Sequence, residues 1–202
     1  MICILDYGSG NVRSVFNVIA TLSDDVRVSN DAAVIESATH IVLPGVGAFA
    51  AAMEKIERSI DLGVLATEVL EKGKPFLGIC VGLQVLASTG HEFGEHPGLG
   101  WIPGTVERLE THGLPLPHVG WNNIAPRQAS PLLAHFDGEP DFYFVHSYVF
   151  RPAHSGDTVA TTCYGTQFTS VVSRGNVHGV QFHPEKSQKA GTQLLRNFLS
   201  LS

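Results

Sequence analysis

The chain has 202 residues, of which 44% are hydrophobic and 16% charged, and this composition predicts a globular protein with a substantial core. The formal net charge of −6, with no cluster of Lys and Arg to offset it, argues against general nucleic-acid binding. Because no signal peptide and no apolar run long enough to cross a bilayer is recognisable, we expect a cytoplasmic protein without membrane contact.

Short apolar strands alternate with amphipathic helices through the first half of the chain. Strands are predicted at residues 2–5, 26–28, 40–43 and 76–80. Helical spacing follows at residues 12–22, 32–36, 49–56 and 62–70. This alternation predicts a parallel sheet with helices on both faces and with its active site at the carboxyl ends of the strands. Asp6, Pro44 and Cys80 stand at such ends, and Pro44-Gly45 is expected to end the third strand.

The second half of the chain has a different pattern, with short strand-like runs broken by Gly and Pro. Such runs occupy residues 105–109, 141–150, 158–163, 168–173 and 177–182. They predict antiparallel hairpins that pack on the same sheet, followed by a closing helix at residues 187–199. Since no linker or repeat is visible, we expect one α/β domain over residues 1–202.

An apolar run ends in Gly78-Ile79-Cys80-Val81-Gly82, and helical spacing follows. This pattern predicts a very tight strand-to-helix turn with the cysteine at its apex, where a serine marks the nucleophile elbow of hydrolases. A cysteine is nucleophilic once it loses its proton. The Val81 N–H would face an oxyanion formed at the thiol, and a second donor is expected from the glycine-rich loop Pro44–Gly47 at the neighbouring strand end.

His183-Pro184-Glu185 follows the apolar run that ends at Phe182. The imidazole is suited to accept the thiol proton and to return it to a leaving group, and the carboxylate to orient the imidazole. Taken alone, Cys80 is equally consistent with a buried core cysteine, and His-Pro-Glu with a surface turn. Together they predict a catalytic triad of Cys80, His183 and Glu185.

The cysteine and histidine patterns give no sign of a disulfide framework or a metal site. The chain has three cysteines and no Cys-x-x-Cys spacing, and its ten histidines show no His-x-x-x-His pair. We expect Cys3 and Cys163 to be small buried hydrophobes and residues 91–96 to form a solvated loop. No metal and no cofactor is predicted.

Several motifs resemble those of the class I (triad) glutamine amidotransferases, and more narrowly those of the glutaminase subunits of imidazole glycerol phosphate synthase (HisH). The resemblance covers nearly the whole chain and rests on residues 5–11, 44–49, 78–84, 118–122, 143–148 and 183–187. It implies that Cys80 attacks the side-chain amide of glutamine and forms a γ-glutamyl thioester. The ammonia would pass to a (β/α)8-barrel cyclase subunit, HisF, in histidine biosynthesis.

The resemblance also implies roles for single residues. Oxyanion donors would be Val46, Gly47 and Val81. Glutamine would be bound by Gly47, Gln84, Glu92, Ser147 and Tyr148. The partner interface would include Asn11, Trp121, Tyr143 and Lys186.

Three other functions remain open at this point. The chain is compatible with a glutaminase that serves another synthase, such as pyridoxal phosphate synthase, although it lacks the Gly-Gly-rich oxyanion loop with Glu-Ser of that family. A cysteine hydrolase that acts on γ-glutamyl substrates without a partner is a second possibility. A binding subunit with a vestigial triad is the third, and the intact Cys80, His183 and Glu185 argue against it.

Overall fold

The computed structural model describes residues 1–136, 138 and 140–202. Its strands are β1 (Ile2–Leu5), β2 (Val26–Ser29), β3 (His40–Gly45), β4 (Phe76–Cys80), β5 (Thr89–Gly90), β6 (His96–Pro97), β7 (Gly104–Arg108), β8 (His118–Asn123), β9 (Ala125–Pro126), β10 (Asp141–His146), β11 (Tyr148–Pro152), β12 (Thr158–Tyr164), β13 (Thr166–Arg174) and β14 (Val177–Val180). Its helices are α1 (Val12–Ile19), α2 (Ala32–Ser37), α3 (Phe49–Ser59), α4 (Leu62–Ala66), α5 (Val81–Gln84) and α6 (Gln188–Leu199). A π-type turn lies at Thr67–Glu71, and 3-10 turns lie at Pro131–Leu133, Ser155–Asp157 and Pro184–Lys186.

An eight-stranded sheet with the order β2-β1-β3-β4-β14-β13-β12-β9 forms the centre of the molecule. The strands from β2 to β14 are parallel, and β13, β12 and β9 continue the sheet in antiparallel pairs. The strands β1, β4 and β14 are buried at every position, so both faces of the sheet are covered. The prediction of an α/β fold with a mostly parallel sheet is confirmed.

The antiparallel strands predicted for the second half are present, and they are divided among three sheets. β10 pairs with β8 in a two-stranded sheet, and β11, β7, β5 and β6 form a four-stranded one. The separation follows from Ser147, which interrupts the strand predicted over residues 141–150. The chain before Ser147 pairs with β8 and the chain after it pairs with β7, so the two segments belong to different sheets.

The strand β3 continues through Pro44 to Gly45, two residues beyond its predicted end at Leu43. Its pairing with β1 stops at Val42, so the missing N–H of Pro44 leaves that ladder intact. On the other side, β3 stays in register with β4 as far as Gly45, which lies opposite Cys80. The extension therefore brings the glycine-rich loop directly beside the predicted nucleophile.

Aromatic side chains hold the β8–β10 sheet against the segment that follows β14. The rings of Phe142 and Phe182 stack with centroids 3.9 Å apart, and Phe144 meets Phe182 edge-on at 5.6 Å. All three side chains are fully buried. The backbone N–H of His183 donates to the carbonyl of Tyr143 at 2.9 Å, so the contact between the two segments also fixes the position of the His183 backbone.

Of the two cysteines expected to be buried, only Cys3 is. The Cys163 side chain is exposed because β12 ends one residue later in the tight turn to β13, where the strand has left the core. None of the helices within the described ranges is long and apolar enough to cross a membrane. Over the same ranges, no group of His, Cys, Asp and Glu side chains is arranged to hold a metal ion.

Candidate active site

Cys80 occupies the apex of a sharp turn between β4 and α5, as the Gly-x-Cys-x-Gly pattern predicts. Its backbone has φ +56° and ψ −109°, a conformation that non-glycine residues rarely adopt. The turn requires glycine on both sides. A Cβ on Gly82 would overlap the carbonyl oxygen of Leu43, and one on Gly78 would overlap the carbonyl oxygen of Gly82.

His183 and Glu185 come from the 3-10 turn that follows β14, and the fold brings them to Cys80. The imidazole Nδ1 lies 2.8 Å from Glu185 Oε1. The ring lines the same cavity as Cys80, and the thiol side chain is near enough to raise the pKa of His183. Since Nδ1 is bound to the carboxylate, Nε2 faces the sulfur. The His183 side chain is 4% exposed and that of Glu185 is fully buried, so the pair lies out of water.

The position of His183 between two acidic groups decides its charge. Burial lowers the pKa of His183, but the hydrogen bonds to Cys80 and Glu185, together with the negative charges of both, raise it to about 9. The imidazole is therefore protonated at neutral pH. A cation on the wall of the cavity that holds the sulfur attracts negative charge there, and the thiolate is the reactive form of a cysteine.

Asn11 supports the triad carboxylate from the turn after β1. Its Nδ2 donates to Glu185 Oε1 at 3.1 Å, while its Oδ1 accepts from Ser14 Oγ at 2.8 Å. Because a carboxylate can only accept, it fixes the Asn11 amide with Nδ2 towards Glu185, and Oδ1 is then free to accept from Ser14. The resemblance placed Asn11 at the partner interface, and the structure shows it in contact with the triad.

The glycine-rich loop lies across the mouth of the site. Gly45 is opposite Cys80 in the β3–β4 register, and Gly47 has φ +97°, a conformation that favours glycine. The Val46 carbonyl accepts a hydrogen bond from Ser9 Oγ at 3.2 Å. The loop is thus close enough to the thiol to contribute an oxyanion donor, as predicted for Val46 and Gly47.

A cavity of about 290 Å³ opens at the Cys80 sulfur. It is lined by Val46, Gly47, Cys80, Val81, Gln84, Glu92, Pro117, Val145, His146, Ser147, Tyr148, His183 and Lys186. Every residue that the sequence predicted for the oxyanion and the substrate therefore reaches the same cavity. Glu92 has a second contact there, because its Oε2 accepts from the backbone N–H of Phe49 at 2.8 Å, at the start of α3.

Sequence reasoning missed Gln181, which is fully buried behind the thiol. Its Nε2 lies 3.8 Å from Cys80 Sγ, and its Oε1 accepts from Gln84 Nε2 at 3.1 Å. A glutamine within the apolar run 177–182, two residues before His183, was the available signal. A polar residue in a buried strand needs partners, and here they belong to the active site.

The sequence also gave no role to a pair of buried histidines on the cavity wall. His146 Nδ1 is 3.0 Å from the Tyr148 carbonyl, which can only accept, so Nδ1 carries the proton. His146 Nε2 must then accept from His118 Nδ1, 3.0 Å away. Burial, and next to it the His118 ring, lowers the pKa of His146 to about 3, and burial lowers the pKa of His118 to about 4. Both rings are neutral, and they fix the Tyr148 carbonyl.

An apolar face lies next to the cavity on the β8–β10 sheet. Val119 and Trp121 are 55% and 49% exposed, and the Trp121 ring meets Tyr143 with centroids 6.1 Å apart. Lys186 Nζ stands 5.7 Å from the centre of the Tyr143 ring. Three of the four residues predicted to face a partner, Trp121, Tyr143 and Lys186, therefore form one continuous surface, whereas Asn11 contacts Glu185.

Comparison with known proteins assigns the chain to a family. The family model described as glutamine amidotransferase class-I matches residues 3–201. Imidazole glycerol phosphate synthase subunit HisH of Salinibacter ruber is 48% identical over 207 aligned positions, which cover 100% of this chain and 94% of the relative. The chain belongs to the class-I glutamine amidotransferases, in the HisH family. Two further HisH subunits are each 45% identical to this chain. That of Moorella thermoacetica covers 98% of this chain and 93% of its own length, and that of Methanothermobacter thermautotrophicus 100% and 98%.

Solved structures share this fold at lower sequence identity. A crystal structure of a glutamine amidotransferase superposes on this class-I family member with a TM-score of 0.75 at 20% identity, covering 98% of this chain and 96% of the other. PurLQS from Thermotoga maritima gives a TM-score of 0.72 at 17% identity, with 98% and 96% covered. At these identities the likeness concerns the fold alone.

Proposed function

We propose that this chain is the glutaminase subunit of an imidazole glycerol phosphate synthase. It hydrolyses glutamine to glutamate and ammonia and delivers the ammonia to a cyclase subunit in histidine biosynthesis, in the cytoplasm. The observation that supports this most directly is the alignment of Cys80, His183 and Glu185 at the end of a cavity that opens beside an exposed aromatic face. The HisH names of the relatives agree with it.

In the first half-reaction, the Cys80 thiolate attacks the side-chain carbonyl carbon of glutamine. The oxyanion that forms is held by the Val81 N–H and by an N–H of the Val46–Gly47 segment. His183 gives its Nε2 proton to the amide nitrogen, the C–N bond breaks and ammonia leaves. A γ-glutamyl thioester remains on Cys80, and His183 is now neutral.

In the second half-reaction, His183 accepts a proton from water, and the resulting hydroxide attacks the thioester carbonyl. The C–S bond breaks and sulfur leaves as the thiolate, so the ion pair with His183 is restored. The new carboxyl group of glutamate releases the second proton to solvent. Glu185 keeps the imidazole oriented through both steps, because its Oε1 holds Nδ1.

The backbone groups of glutamine are bound at the far side of the cavity in this proposal. Glu92 faces the substrate ammonium with the carboxylate oxygen that does not contact Phe49. Ser147 and Tyr148 hold the substrate carboxylate, with Gly47 and Gln84 beside them. Glutamine thus lies with its side-chain amide at the sulfur and its charged end towards α3 and β11.

The partner in this proposal is a (β/α)8-barrel cyclase subunit, HisF, which covers the face formed by Val119, Trp121, Tyr143 and Lys186. Ammonia is mostly ammonium in neutral water and is then not nucleophilic, so its delivery needs a passage sealed from solvent. Val145 and Lys186 line the cavity and also border this face, which supports an exit on this side. Residues 1–202 form one domain that carries both the cavity and the docking surface.

Glutamine hydrolysis without an acceptor is wasteful, so we further propose that the Gly45-Val46-Gly47 loop reorients when the cyclase binds its ligand. The positive φ of Gly47 and the space around it permit a peptide rotation there. Ser9, which contacts the Val46 carbonyl, follows the same movement.

The test is to measure glutamate release by the chain alone, with the cyclase subunit, and with the cyclase subunit and its ligand. We expect slow release alone, fast release in the liganded complex, and none with Cys80→Ala. Labelling with a glutamine-mimicking electrophile should modify Cys80. Equal rates with and without the liganded partner would refute the coupling, and modification of Cys3 or Cys163 in place of Cys80 would refute the site.

A further inference from the structure

Gln181 contacts the reacting sulfur, yet the steps above do not use it. The side chain is fully buried on β14's continuation and is the one amide that the described residues place at Cys80 Sγ, with Nε2 at 3.8 Å. As a thiol, the same sulfur donates to the Val145 carbonyl oxygen at 3.9 Å. Once the proton is lost, that oxygen repels the thiolate, and an N–H donor on the other side offsets the repulsion.

The network behind Gln181 determines which end of its amide faces the sulfur. Gln84 Nε2 donates to the Tyr148 carbonyl at 3.0 Å, and a carbonyl can only accept. The Gln84 amide is thereby fixed with its nitrogen inward, where it also donates to Gln181 at 3.1 Å. Gln181 must therefore present Oε1 to Gln84 and Nε2 to Cys80.

The hydrogen bonds that orient Gln181 and Gln84 continue beyond the Tyr148 carbonyl. The Tyr148 carbonyl that fixes Gln84 also accepts from His146 Nδ1, and His118 in turn donates to His146. A chain of neutral groups thus holds the Tyr148 carbonyl in one orientation. No member of this chain can reverse its donor and acceptor without breaking a buried hydrogen bond.

We propose that Gln181 holds the Cys80 thiolate for attack by donating an N–H to the sulfur, and that Gln84 locks the orientation of that amide. This inference rests on the proposed function, because it assigns a further catalytic contact to the same nucleophile. Among the described residues, the titratable groups whose charge is coupled to the sulfur are His183, from the turn after β14, and Tyr7, which follows β1. Glu92, Lys186 and the neutral His146 line the same cavity. Burial raises the pKa of Tyr7, so its phenol stays neutral over the pH range of the experiment and adds no charge change of its own.

The experiment measures alkylation of Cys80 by iodoacetamide as a function of pH, in a Cys163→Ser background because Cys163 is exposed. Gln181→Leu removes the donor. We expect the rate at pH 7 to fall about tenfold and the pH of half-maximal rate to rise by about one unit, the size of one hydrogen bond to a charged group. In the liganded complex, kcat for glutamine should fall about tenfold, with KM changed less than about twofold.

Gln181→Glu keeps the shape of the side chain and changes its charge, so it distinguishes an electrostatic effect on the sulfur from an effect of packing. Its carboxylate still accepts from Gln84, but it places a negative charge at the sulfur, so the rise in the half-maximal pH should be at least as large as in Gln181→Leu. The control is Asn197→Leu, which removes another buried amide whose Nδ2 contacts only the Leu132 and Ala134 carbonyls. It should lower the melting temperature and leave the alkylation profile unchanged.

Unchanged profiles in both Gln181 variants, with only a lower melting temperature, would overturn the proposal. If the variants do not fold, the side-chain amide resonance of Gln181 in the unmodified chain decides the matter. It should move with pH over the range in which alkylation changes and should stay constant in Cys80→Ala. A resonance that does not respond to pH would contradict a contact with the thiolate.

The alkylation and NMR readouts are independent of glutamine and of the partner. A wild-type chain that releases no glutamate in the complex, yet shows the profile shift in Gln181→Leu, would reject the proposed function and leave the sulfur contact standing. Normal glutamine hydrolysis with unchanged profiles would do the reverse.

Discussion

Asn11 and His183 donate to the same oxygen of Glu185, at 3.1 Å and 2.8 Å. The asparagine precedes α1 and the histidine follows β14, so the triad carboxylate is fixed from both ends of the chain. The Glu185 side chain is fully buried, so water does not orient its carboxylate and these two donors do. The turn after β1 therefore sets the position of the imidazole through Glu185.

Asn11→Ala should lower kcat about five- to tenfold with little change in KM, because Glu185 loses one of two charge-assisted hydrogen bonds that fix it. The measurement is steady-state glutaminase activity of the liganded complex. Ser14→Ala is the matched control, because it removes only the hydroxyl contact to Asn11 Oδ1 and keeps the bond to Glu185. Equal losses in the two variants would show that Asn11 acts on the turn and not on the carboxylate.

The charge of His183 predicts an alkaline limit to activity. The pKa of His183 is raised to about 9, so its proton is present at neutral pH and is lost as the pH rises through about 9. Since this proton goes to the leaving ammonia, kcat/KM should fall above that pH. In Glu185→Gln the limit should move to lower pH, because one of the groups that raise the pKa loses its charge.

The titration itself is measurable by NMR of ¹⁵N-labelled histidine. His183 should titrate near pH 9 in the unmodified chain and lower in Cys80→Ala, because the Cys80 side chain also raises its pKa. His178 is the internal control, since burial alone lowers its pKa to about 4 and the substitution leaves its surroundings unchanged. A His183 midpoint that is the same in both proteins would show that the thiol and the imidazole do not interact.

The parallel half of the fold was predictable because its strands and helices alternate and carry clear start signals. Asp31, for example, caps α2 as expected, with Oδ1 accepting from the Ala33 N–H at 2.8 Å. The second half was less predictable. A strand pattern fixes neither the partner of a strand nor its sheet, and the break at Ser147 leaves no mark in the hydrophobic pattern. The prediction that Cys163 is buried was wrong for a related reason, because its exposure depends on where β12 leaves the core.

The glycines of the elbow give a prediction about stability. Gly82→Ala should destabilise the fold by more than about 3 kcal/mol, because the added Cβ would overlap the Leu43 carbonyl of the adjacent strand and neither backbone can move freely. Urea unfolding measures the change. Gly156→Ala is the control, since a Cβ there meets no atom within 4 Å, and it should alter the stability by less than about 0.5 kcal/mol. Similar effects in both variants would mean that the elbow tolerates a side chain.

The exposed aromatic face gives a prediction about association. Trp121→Ala should weaken binding of the cyclase subunit by about tenfold or more, because buried tryptophans often dominate interface free energy. Leu70→Ala is matched in exposure, at 50% against 49% for Trp121, and lies on the chain segment after α4. Isothermal titration calorimetry with each variant measures the difference. Equal affinities for both variants and the unmodified chain would place the cyclase elsewhere.

The site itself was predictable to the extent that its residues follow strand ends. Cys80, His183 and Glu185 could be found because a nucleophile elbow and a His-Pro-Glu turn each follow an apolar run. Gln181 and His146 could not, because their importance lies in buried hydrogen bonds that form only when β14, β10 and α5 come together. Asn11 was found through the resemblance, but its contact with Glu185 depends on how the turn after β1 folds.

The exposed thiol of Cys163 has a practical use. It lies on β12 beside β8, which carries Val119 and Trp121 of the aromatic face, since the Asn122 side chain donates to the Cys163 carbonyl at 3.0 Å. In Cys80→Ala, which removes the reactive nucleophile, an environment-sensitive dye attached there would sit near the aromatic face. Its emission would report arrival and departure of the second subunit in real time, without any engineered attachment point.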